Sequence, residues 1–315
     1  MQYKKSFFLM LLAVALSVQE ALPQYDIRSE VSAFSAVPEV PATCDWAGET
    51  VVLDRFDLRE RFDRELTGFC FNHTNTLLVI KRANRYFPII KPILEEMGVP
   101  ADFVYLAVIE SFLNPRAVSP AKAAGLWQIV PSTGKSYGLE ISDYVDERYN
   151  IVKATRAACK YLKSAYNRYG SWITAAASYN AGQGRISSEL DRQIQEHALD
   201  LWLNDETSRY MFRMMAIKAV MEDPLKYGFV IRREQLYPQI RFKEVEVTED
   251  IPDLSAFANG QGITYSQLKE FNSWLRARKL PVKEGSSYML LIPYVEDLFY
   301  SSNRQPVYYD KWTID

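Results

Sequence analysis

The stretch ESFLNPRAVSPAKAAGLWQI, residues 110–129, decides the fold of this chain, and it begins at Glu110. Glu110 lies near the end of a helix that the pattern predicts over residues 101–113. Apolar residues starting at Phe103 recur at positions i, i+3 and i+4 of this helix, and Glu110 takes position i+7. The other faces are apolar as well, which indicates a helix at the centre of the fold.

A glutamate at the end of a central helix loses most of its contact with water. Burial without a cationic partner disfavours the ionised carboxylate and raises its pKa toward the range useful for donating a proton near neutral pH. Glycosidic bond cleavage needs such a donor, because the leaving oxygen must be protonated as the C–O bond breaks. The helix alone fits a structural glutamate, satisfied by hydrogen bonds or an ion pair, equally well.

Histidine is scarce, since the chain has only His73 and His197. Neither belongs to a motif such as HExxH, and no glycine-rich phosphate loop follows a predicted strand. This argues against a Ser-His-Asp hydrolase and against a zinc enzyme. We therefore seek the catalyst among the carboxylates and expect no metal and no cofactor.

The three cysteines, Cys44, Cys70 and Cys159, match no metal-site spacing. We interpret them as structural rather than reactive, and a Cys44–Cys70 disulfide remains an alternative.

Length and charge limit the partners of this chain. Its 315 residues suffice for one main domain and a smaller one, and its formal net charge is −2. A chain without a strong field of either sign is a poor partner for nucleic acid or for an anionic membrane surface. We expect a monomer that binds no nucleic acid.

The N-terminus is typical of an exported protein. Lys4 and Lys5 precede an apolar run over residues 7–18, too short to span a bilayer comfortably. We predict a signal peptide over residues 1–24 and a periplasmic or cell-envelope location. A retained N-terminal anchor is the alternative, and no other membrane association is expected.

The pattern along the chain predicts a mainly α protein with a small α+β module at the C-terminal end. An N-terminal extension over residues 25–74 precedes a helical domain over 75–227, and the module covers 228–315. The predicted helices cover residues 88–98, 101–113, 150–170, 171–182 and 211–220. The predicted strands cover residues 229–232, 242–247 and 288–292.

Several motifs occur in an order and spacing that resemble the family 1 lytic transglycosylases, whose fold is that of goose-type lysozyme. They are Glu110-Ser111, Asn114-Pro115, Ser119, Gly125-Leu126-Trp127-Gln128, Ser178-Tyr179-Asn180-Ala181-Gly182, Glu206-Thr207 and Tyr210. PSTGKSYGL at 131–139 and DER at 146–148 look more like the membrane-bound lytic transglycosylase D branch. The resemblance implies a lysozyme-like helical catalytic domain.

The resemblance also implies the chemistry and the substrate, which are the glycan strands of peptidoglycan. Glu110 would be the single catalytic carboxylate: it protonates the oxygen between N-acetylmuramic acid and N-acetylglucosamine. It then takes the proton from the muramic C6 hydroxyl, which attacks C1 and leaves a 1,6-anhydro end. Asp102, roughly 12 Å back along the helix axis, is too far to assist. A hydrolytic muramidase and a non-catalytic peptidoglycan-binding protein remain alternatives.

Five further residues receive substrate-binding roles from the resemblance: Ser119, Gln128, Tyr179, Asn180 and Tyr210. Gln128 and Asn180 would hold N-acetyl or hydroxyl groups, Tyr179 would orient Glu110 or the sugar, and Ser119 would bind near the peptide-bearing sugar. Tyr210 would close the cleft. Each has a structural alternative: Ser119 as a turn cap, Asn180 as a helix-terminal residue, and Gln128 as a partner of backbone groups.

Residues 254–293 resemble a degenerate LysM repeat, a module that binds the N-acetylglucosamine of glycans. The helix, the Leu-x-x-x-Asn pattern and the closing Ile292-Pro293 are present, but DIPDL at 250–254 replaces the usual Gly-Asp-Thr-Leu. A tethering role and a purely structural role are both open.

Overall fold

A short antiparallel hairpin opens the part of the chain that this computed structural model describes, residues 37–300 and 306–315. The predicted signal peptide and residues 25–36 of the predicted extension lie outside it. The hairpin pairs Thr43 with Val52 and Trp46 with Glu49. Residues from Pro38 to Asp315 form one compact unit.

Helices dominate the described chain, and the mainly α prediction is confirmed. The strands are β1 Thr43–Trp46, β2 Glu49–Val52, β3 Phe242–Val247 and β4 Tyr288–Pro293. The α-helices are α1 Phe56–Phe71, α2 His73–Glu96, α3 Val104–Ser111, α4 Pro131–Ser136, α5 Ile151–Tyr169, α6 Trp172–Ala181, α7 Gln183–Gln193, α8 Asp205–Glu222, α9 Leu254–Gly260 and α10 Tyr265–Phe271. The 3₁₀ turns are Ala101–Phe103, Glu147–Tyr149, Ala198–Asp200, Leu225–Tyr227, Arg233–Gln235, Val295–Leu298 and Asp310–Trp312.

Helix α3 is central, as its apolar pattern predicts. All of its residues except Glu110 are buried. The helix ends because Phe112 adopts the left-handed conformation, with φ 49° and ψ 36°. A 3₁₀ turn over Ala101–Phe103 starts it, so the predicted helix over residues 101–113 is confirmed in place.

Side-chain caps fix the boundaries of α5 and α6. Asn150 Oδ1 accepts a 3.0 Å hydrogen bond from the Lys153 amide, and Ser171 Oγ accepts one of 3.1 Å from the Thr174 amide. Left-handed Gly170 ends α5, which is the usual role of glycine after a helix. The predicted helices over residues 150–170 and 171–182 are therefore confirmed.

The prediction that Pro88 opens a helix is wrong. Helix α2 starts at His73 and runs through both Pro88 and Pro92. Proline removes a helical hydrogen bond and normally breaks a helix. Here buried residues such as Phe87 and Ile90 line α2 through this region, and we attribute its continuity to tertiary packing.

Two further helices depart from the predicted pattern. Helix α8 begins at Asp205, six residues before the predicted start at Met211. Helix α1 is absent from the predicted set, since its sequence FDLRERFDRELTGFCF mixes charged and apolar residues. It packs along α8, with which it shares an extensive contact.

The C-terminal module combines a two-stranded sheet with two short helices, so the predicted small α+β module is confirmed. Strands β3 and β4 pair antiparallel from Phe242 opposite Pro293 to Val247 opposite Tyr288. The predicted strand over residues 229–232 is wrong, because this segment has no strand partner. Its side chains Phe229 and Ile231 instead pack into the helical core.

The helical core includes residues on both sides of the predicted catalytic domain. Trp46 and Phe62 are buried before residue 75, and Trp312 after residue 228 joins the same core. The Trp312 indole donates a 2.7 Å hydrogen bond to the carbonyl of Met221. The domain boundaries at 75, 227 and 228 stay predictions.

The three cysteines are free, buried thiols, so no Cys44–Cys70 disulfide is present. Burial raises the pKa of Cys44 and of Cys159 to about 12, and that of Cys70 to about 11. Thiols in such surroundings are poorly reactive, in line with a structural role.

Within residues 37–300 and 306–315, no helix combines the length and apolar character that crossing a membrane requires.

Candidate active site

Glu110 is the next-to-last residue of α3 and keeps a partly exposed surface at the end of a buried helix. The following residue, Ser111, is buried, and its hydroxyl donates to the carbonyls of Ala107 at 3.1 Å and Leu126 at 2.9 Å. These bonds fix the helix end against the segment that follows. The carboxyl of Glu110 is thus placed by a rigid backbone.

Strained backbone is concentrated in the segment that follows Glu110 in the sequence. The described residues include six non-glycine residues with positive φ, and four of them lie in residues 110–129: Phe112, Leu113, Lys122 and Gln128. A left-handed conformation costs a residue with a side chain roughly 1–2 kcal/mol. Such strain persists only where the surrounding structure imposes it, and it clusters at functional sites.

Tyr210 of α8 is the direct partner of Glu110. Its hydroxyl donates a 2.5 Å hydrogen bond to Glu110 Oε1. The Tyr210 side chain is only 4% exposed, so the bond forms away from bulk water. A short bond to a carboxylate in such a place is among the stronger hydrogen bonds in proteins.

Burial dominates the acidity of Glu110 and raises its pKa to about 7. The hydrogen bond from Tyr210 and the positive charge of Arg213 both lower this pKa, and the negative charge of Glu206 raises it. A carboxyl of this pKa is half protonated near neutral pH. It can therefore serve as both proton donor and proton acceptor.

Tyr179 of α6 is a neighbour of this pair. Burial raises the pKa of Tyr179 well above its usual value, and the charge of Glu110 raises it further. Its hydroxyl donates a 2.8 Å hydrogen bond to the Trp127 carbonyl. Its ring stands edge-on to that of Tyr161, with centroids 5.2 Å apart. In this structure the hydroxyl that contacts the Glu110 carboxyl belongs to Tyr210, and Tyr179 holds the backbone at Trp127.

Gln128 is left-handed, with φ 46°, and its side-chain amide bonds to the backbone. Nε2 donates to the carbonyls of Ala117 at 3.2 Å and Gly125 at 2.9 Å. Both amide hydrogens are thereby used within the protein. The Oε1 atom is the part of this side chain that remains to accept a hydrogen bond from a ligand.

Ser119 caps a tight turn. Its Oγ accepts a 3.1 Å hydrogen bond from the Ala123 amide, and its own amide donates to the Ala123 carbonyl at 3.0 Å. This contact matches the turn-capping alternative. The hydroxyl proton of Ser119 remains to be donated to a ligand.

Asn180 lies at the end of α6 and bonds to α8. Its Oδ1 accepts a 2.8 Å hydrogen bond from the hydroxyl of Thr207, which leaves the amide hydrogens for a ligand. Gln128, Tyr179 and Asn180 line one open groove of about 550 Å³. The structure therefore brings three predicted binding residues to one groove, and the charge of Glu110 acts on one of them, Tyr179.

Other carboxylates near the motifs are engaged elsewhere. Asp102 forms a 2.7 Å ion pair with Lys218. Asp146 pairs with Arg148 at 2.7 Å, and Glu147 forms an ion pair with Lys153. These ion pairs indicate a structural role for the DER motif.

Two segments of this chain match known protein families. Residues 87–199 match the transglycosylase SLT domain, a span that contains Glu110 and the groove residues. We call the matched span, residues 87–199, the SLT domain. Residues 243–296 match the soluble lytic transglycosylase C-terminal LysM-like domain, which confirms the LysM-like module.

Curated relatives match the SLT domain and its flanks. Membrane-bound lytic murein transglycosylase D of Escherichia coli (strain K12) is 29% identical over 239 residues, which is 74% of this chain and 51% of that protein. Membrane-bound lytic murein transglycosylase C of Pectobacterium atrosepticum is 26% identical over 173 residues, covering 47% of this chain and 48% of that protein. The chain thus spans about half the length of these relatives.

Among solved structures, the 70 kDa soluble lytic transglycosylase SLT70 of Escherichia coli aligns with 44% of this chain and 24% of its own. The sequence identity is 24% and the TM-score 0.37.

Three residues close to the SLT domain site were not among the predicted site residues. They are Glu206, Thr207 and Arg213, all on α8. Spacing contains a signal for two of them, because Thr207 and Arg213 lie three residues before and after Tyr210 and so share its helix face. The SLT match ends at residue 199, before α8 begins.

Proposed function

We propose that this chain is a peptidoglycan lytic transglycosylase that cleaves the bond between N-acetylmuramic acid and N-acetylglucosamine. The observation that carries the proposal is the Glu110 carboxyl, which has a pKa raised to about 7 and a 2.5 Å hydrogen bond from Tyr210. The SLT match over residues 87–199 supports the same reaction class.

Glu110 acts twice in one turnover. In its neutral form it protonates the glycosidic oxygen while the C–O bond breaks, and the sugar develops positive charge at C1. The carboxylate so formed then accepts the proton of the muramic C6 hydroxyl, whose oxygen attacks C1. The carboxyl returns to its starting state, and the product carries a 1,6-anhydro ring without consuming water.

Tyr210 stabilises one protonation state of Glu110 in this cycle. Its hydrogen bond favours the carboxylate, so it stabilises the state that exists after the first proton transfer. The hydrogen bond also fixes the rotamer of Glu110. A fixed rotamer is needed because Glu110 donates a proton to the glycosidic oxygen and then accepts one from the C6 hydroxyl.

A second catalytic carboxylate is not required by this scheme. Asp102, Asp146 and Glu147 are held in ion pairs. Glu206 is exposed on α8, and its charge raises the pKa of Glu110. We assign Glu206 the role of raising the pKa of Glu110 rather than that of activating water. This assignment distinguishes the proposed reaction from that of a hydrolytic muramidase.

The groove supplies polar groups for the sugars. Gln128 Oε1 can accept from an N-acetyl N–H, and the Asn180 amide can donate to a hydroxyl or a carbonyl. Tyr179 supports the backbone at Trp127 and presents its ring to the groove. Ser119 has one proton left for the peptide-bearing sugar. These roles, with the cell envelope as location, complete the proposal.

Substitution of Glu110 by Gln tests the proposal, because Gln keeps the shape of the side chain but cannot cycle a proton. We expect a folded variant, by circular dichroism, that releases no soluble fragments from purified peptidoglycan. Glu60→Gln, an exposed change on α1, should release fragments at the rate of the parent. Release by the Glu110 variant at the parent rate would refute the mechanism and favour a non-catalytic binding protein.

A further inference from the structure

The LysM-like module is joined to the SLT domain by a short strand-like contact. Residues 140–149 of the SLT domain lie against residues 273–276 and Tyr288 of the module, and we call this contact the seam. Val145 and Leu275 form an antiparallel bridge. The Asp146 amide donates to the Trp274 carbonyl at 2.9 Å, and the Arg276 amide donates to the Tyr144 carbonyl at 2.8 Å.

Side chains add to the seam. Ser273 Oγ donates a 3.1 Å hydrogen bond to the Tyr149 carbonyl. The Arg276 guanidinium lies over the Tyr149 ring, 4.4 Å from its centroid. Tyr288 Oη, from strand β4, donates a 2.9 Å hydrogen bond to Glu140 Oε2. The contact thus combines backbone pairing, a cation–π pair and two side-chain hydrogen bonds.

The hydrophobic core of the module extends across the seam. Ala124, Val145 and Tyr149 of the SLT domain belong to the same buried cluster as the apolar residues of the module. Ala124 and Val145 are fully buried there. A module on a flexible tether would leave these side chains in water, so the shared core ties the two parts together.

Arg148 connects the seam to the segment over residues 117–129, which we call the binding loop because it contains Ser119 and Gln128. Arg148 pairs with Asp146, and its Nη1 donates to the carbonyls of Lys122 at 2.6 Å and Ile129 at 3.1 Å. The seam and the binding loop are therefore one hydrogen-bonded network.

Backbone packing makes the same connection. A Cβ atom on Gly125 of the binding loop would lie 2.1 Å from the Arg148 carbonyl oxygen. The loop closes on itself beside this point, since Ala124 and Ile129 exchange two hydrogen bonds of 3.1 Å. Gln128, left-handed and bonded only to backbone carbonyls, takes its position from this closure.

We propose that the LysM-like module is a positioning element, which holds the binding loop of the SLT domain in its substrate-binding shape through the seam. The hydrogen bond of the catalytic pair joins α3 to α8 and includes no seam residue, and α3 meets the binding loop at the hydrogen bond from Ser111 to Leu126. Loosening the seam should therefore weaken substrate binding much more than it slows the chemical step. The kinetic part of this inference rests on the proposed function.

A seam variant combining Ser273→Ala, Arg276→Ala and Tyr288→Phe tests the inference in the full chain. Thr264→Ala is the matched control, because it removes the N-cap of α10 inside the module without touching the seam. Loss of one to two kcal/mol of local stability corresponds to a factor of about 5 to 30. We expect the amide hydrogens of Ala124 and Ile129 to exchange faster by this factor in the seam variant alone.

The kinetic arm uses soluble glycan strands of peptidoglycan. We expect the seam variant to raise KM several-fold with kcat within about twofold of the parent, and Thr264→Ala to change neither. Unchanged exchange in the binding loop, equal changes in both variants, or an unchanged KM would overturn the inference. The exchange arm needs no activity, so it separates failure of this inference from failure of the proposed function.

Discussion

The hydroxyl of Tyr210 donates a 2.5 Å hydrogen bond to Oε1 of Glu110, joining two residues that lie 100 positions apart in the sequence. Two opposing effects meet in this contact. Burial raises the pKa of Glu110, and the hydrogen bond lowers it, giving a pKa of about 7. The pKa of this proposed catalytic acid thus depends on a residue outside the helix that carries it.

Replacement of Tyr210 by Phe should raise the pKa of Glu110, because the bond that favours the carboxylate is lost. A hydrogen bond to a charged group is worth about 1.5–3 kcal/mol, which corresponds to roughly one to two pKa units. The fall of kcat/KM at alkaline pH should move to higher pH by that amount, and kcat should drop. Tyr166→Phe, on a ring stacked against Trp172, should leave the pH profile unchanged. A shift to lower pH in the Tyr210 variant would contradict this assignment.

Replacement of Glu110 by Gln should stabilise the fold at alkaline pH. Because the pKa of Glu110 is raised from 4.5 to about 7 on folding, its protonated form gives stability that is complete below 4.5 and lost as pH rises through 7. A shift of this size corresponds to on the order of 3 kcal/mol. Thermal melts should show the gain of the variant over the parent growing from pH 5 to pH 8. A gain that does not change with pH would mean that Glu110 is not desolvated.

Replacement of Glu206 by Gln should lower the pKa of Glu110, because a negative charge that opposes ionisation is removed. The alkaline limb of kcat/KM should move modestly to lower pH, while the 1,6-anhydro product is retained. Loss of the reaction, or a change to reducing ends, would instead make Glu206 part of the chemistry.

Replacement of Gly125 by Ala should be severely destabilising. The added Cβ would meet the Arg148 carbonyl oxygen at 2.1 Å, and φ is +76°. Gly138→Ala is a matched control, since its φ is +87° but nothing lies within 4 Å of the added atom. The control should cost about 1 kcal/mol of unfolding free energy from backbone strain alone. The Gly125 variant should lose clearly more unfolding free energy than the control, as measured by denaturant titration. Equal losses would show that the binding loop rearranges at little cost to accept the added Cβ.

The sequence predicts the helices whose caps are local. Asn150 and Ser171 cap the N-termini of α5 and α6, and Gly170 and Gly182 follow their last residues, so each signal lies beside the boundary it sets. Helix α3 follows from its apolar character alone. For such elements, local chemistry and global fold agree.

Helices α1 and α2 are harder to predict because distant contacts stabilise them. Helix α1 packs along α8, and its buried Glu65 pairs with Arg209 at 2.6 Å, a contact that no local pattern contains. Helix α2 continues through Pro88, against the propensity of proline. In both, tertiary packing outweighs the local signal.

The candidate site shows the same division. The position of Glu110 at the end of a buried helix is visible in its own sequence neighbourhood. The sequence neighbourhood does not show that Tyr210, rather than Tyr179, contacts the Glu110 carboxyl. This contact depends on the packing of α8 against α3. The role of Gln128 likewise depends on a left-handed backbone, which the sequence GLWQ does not predict.

Mass spectrometry of digested peptidoglycan distinguishes ring closure at Glu110 from activation of water. We expect fragments that end in 1,6-anhydro-N-acetylmuramic acid, each lighter by one water than the hydrolysis product, and none from Glu110→Gln. Fragments with reducing ends as the main product would contradict ring closure and assign the chain to the hydrolytic muramidases.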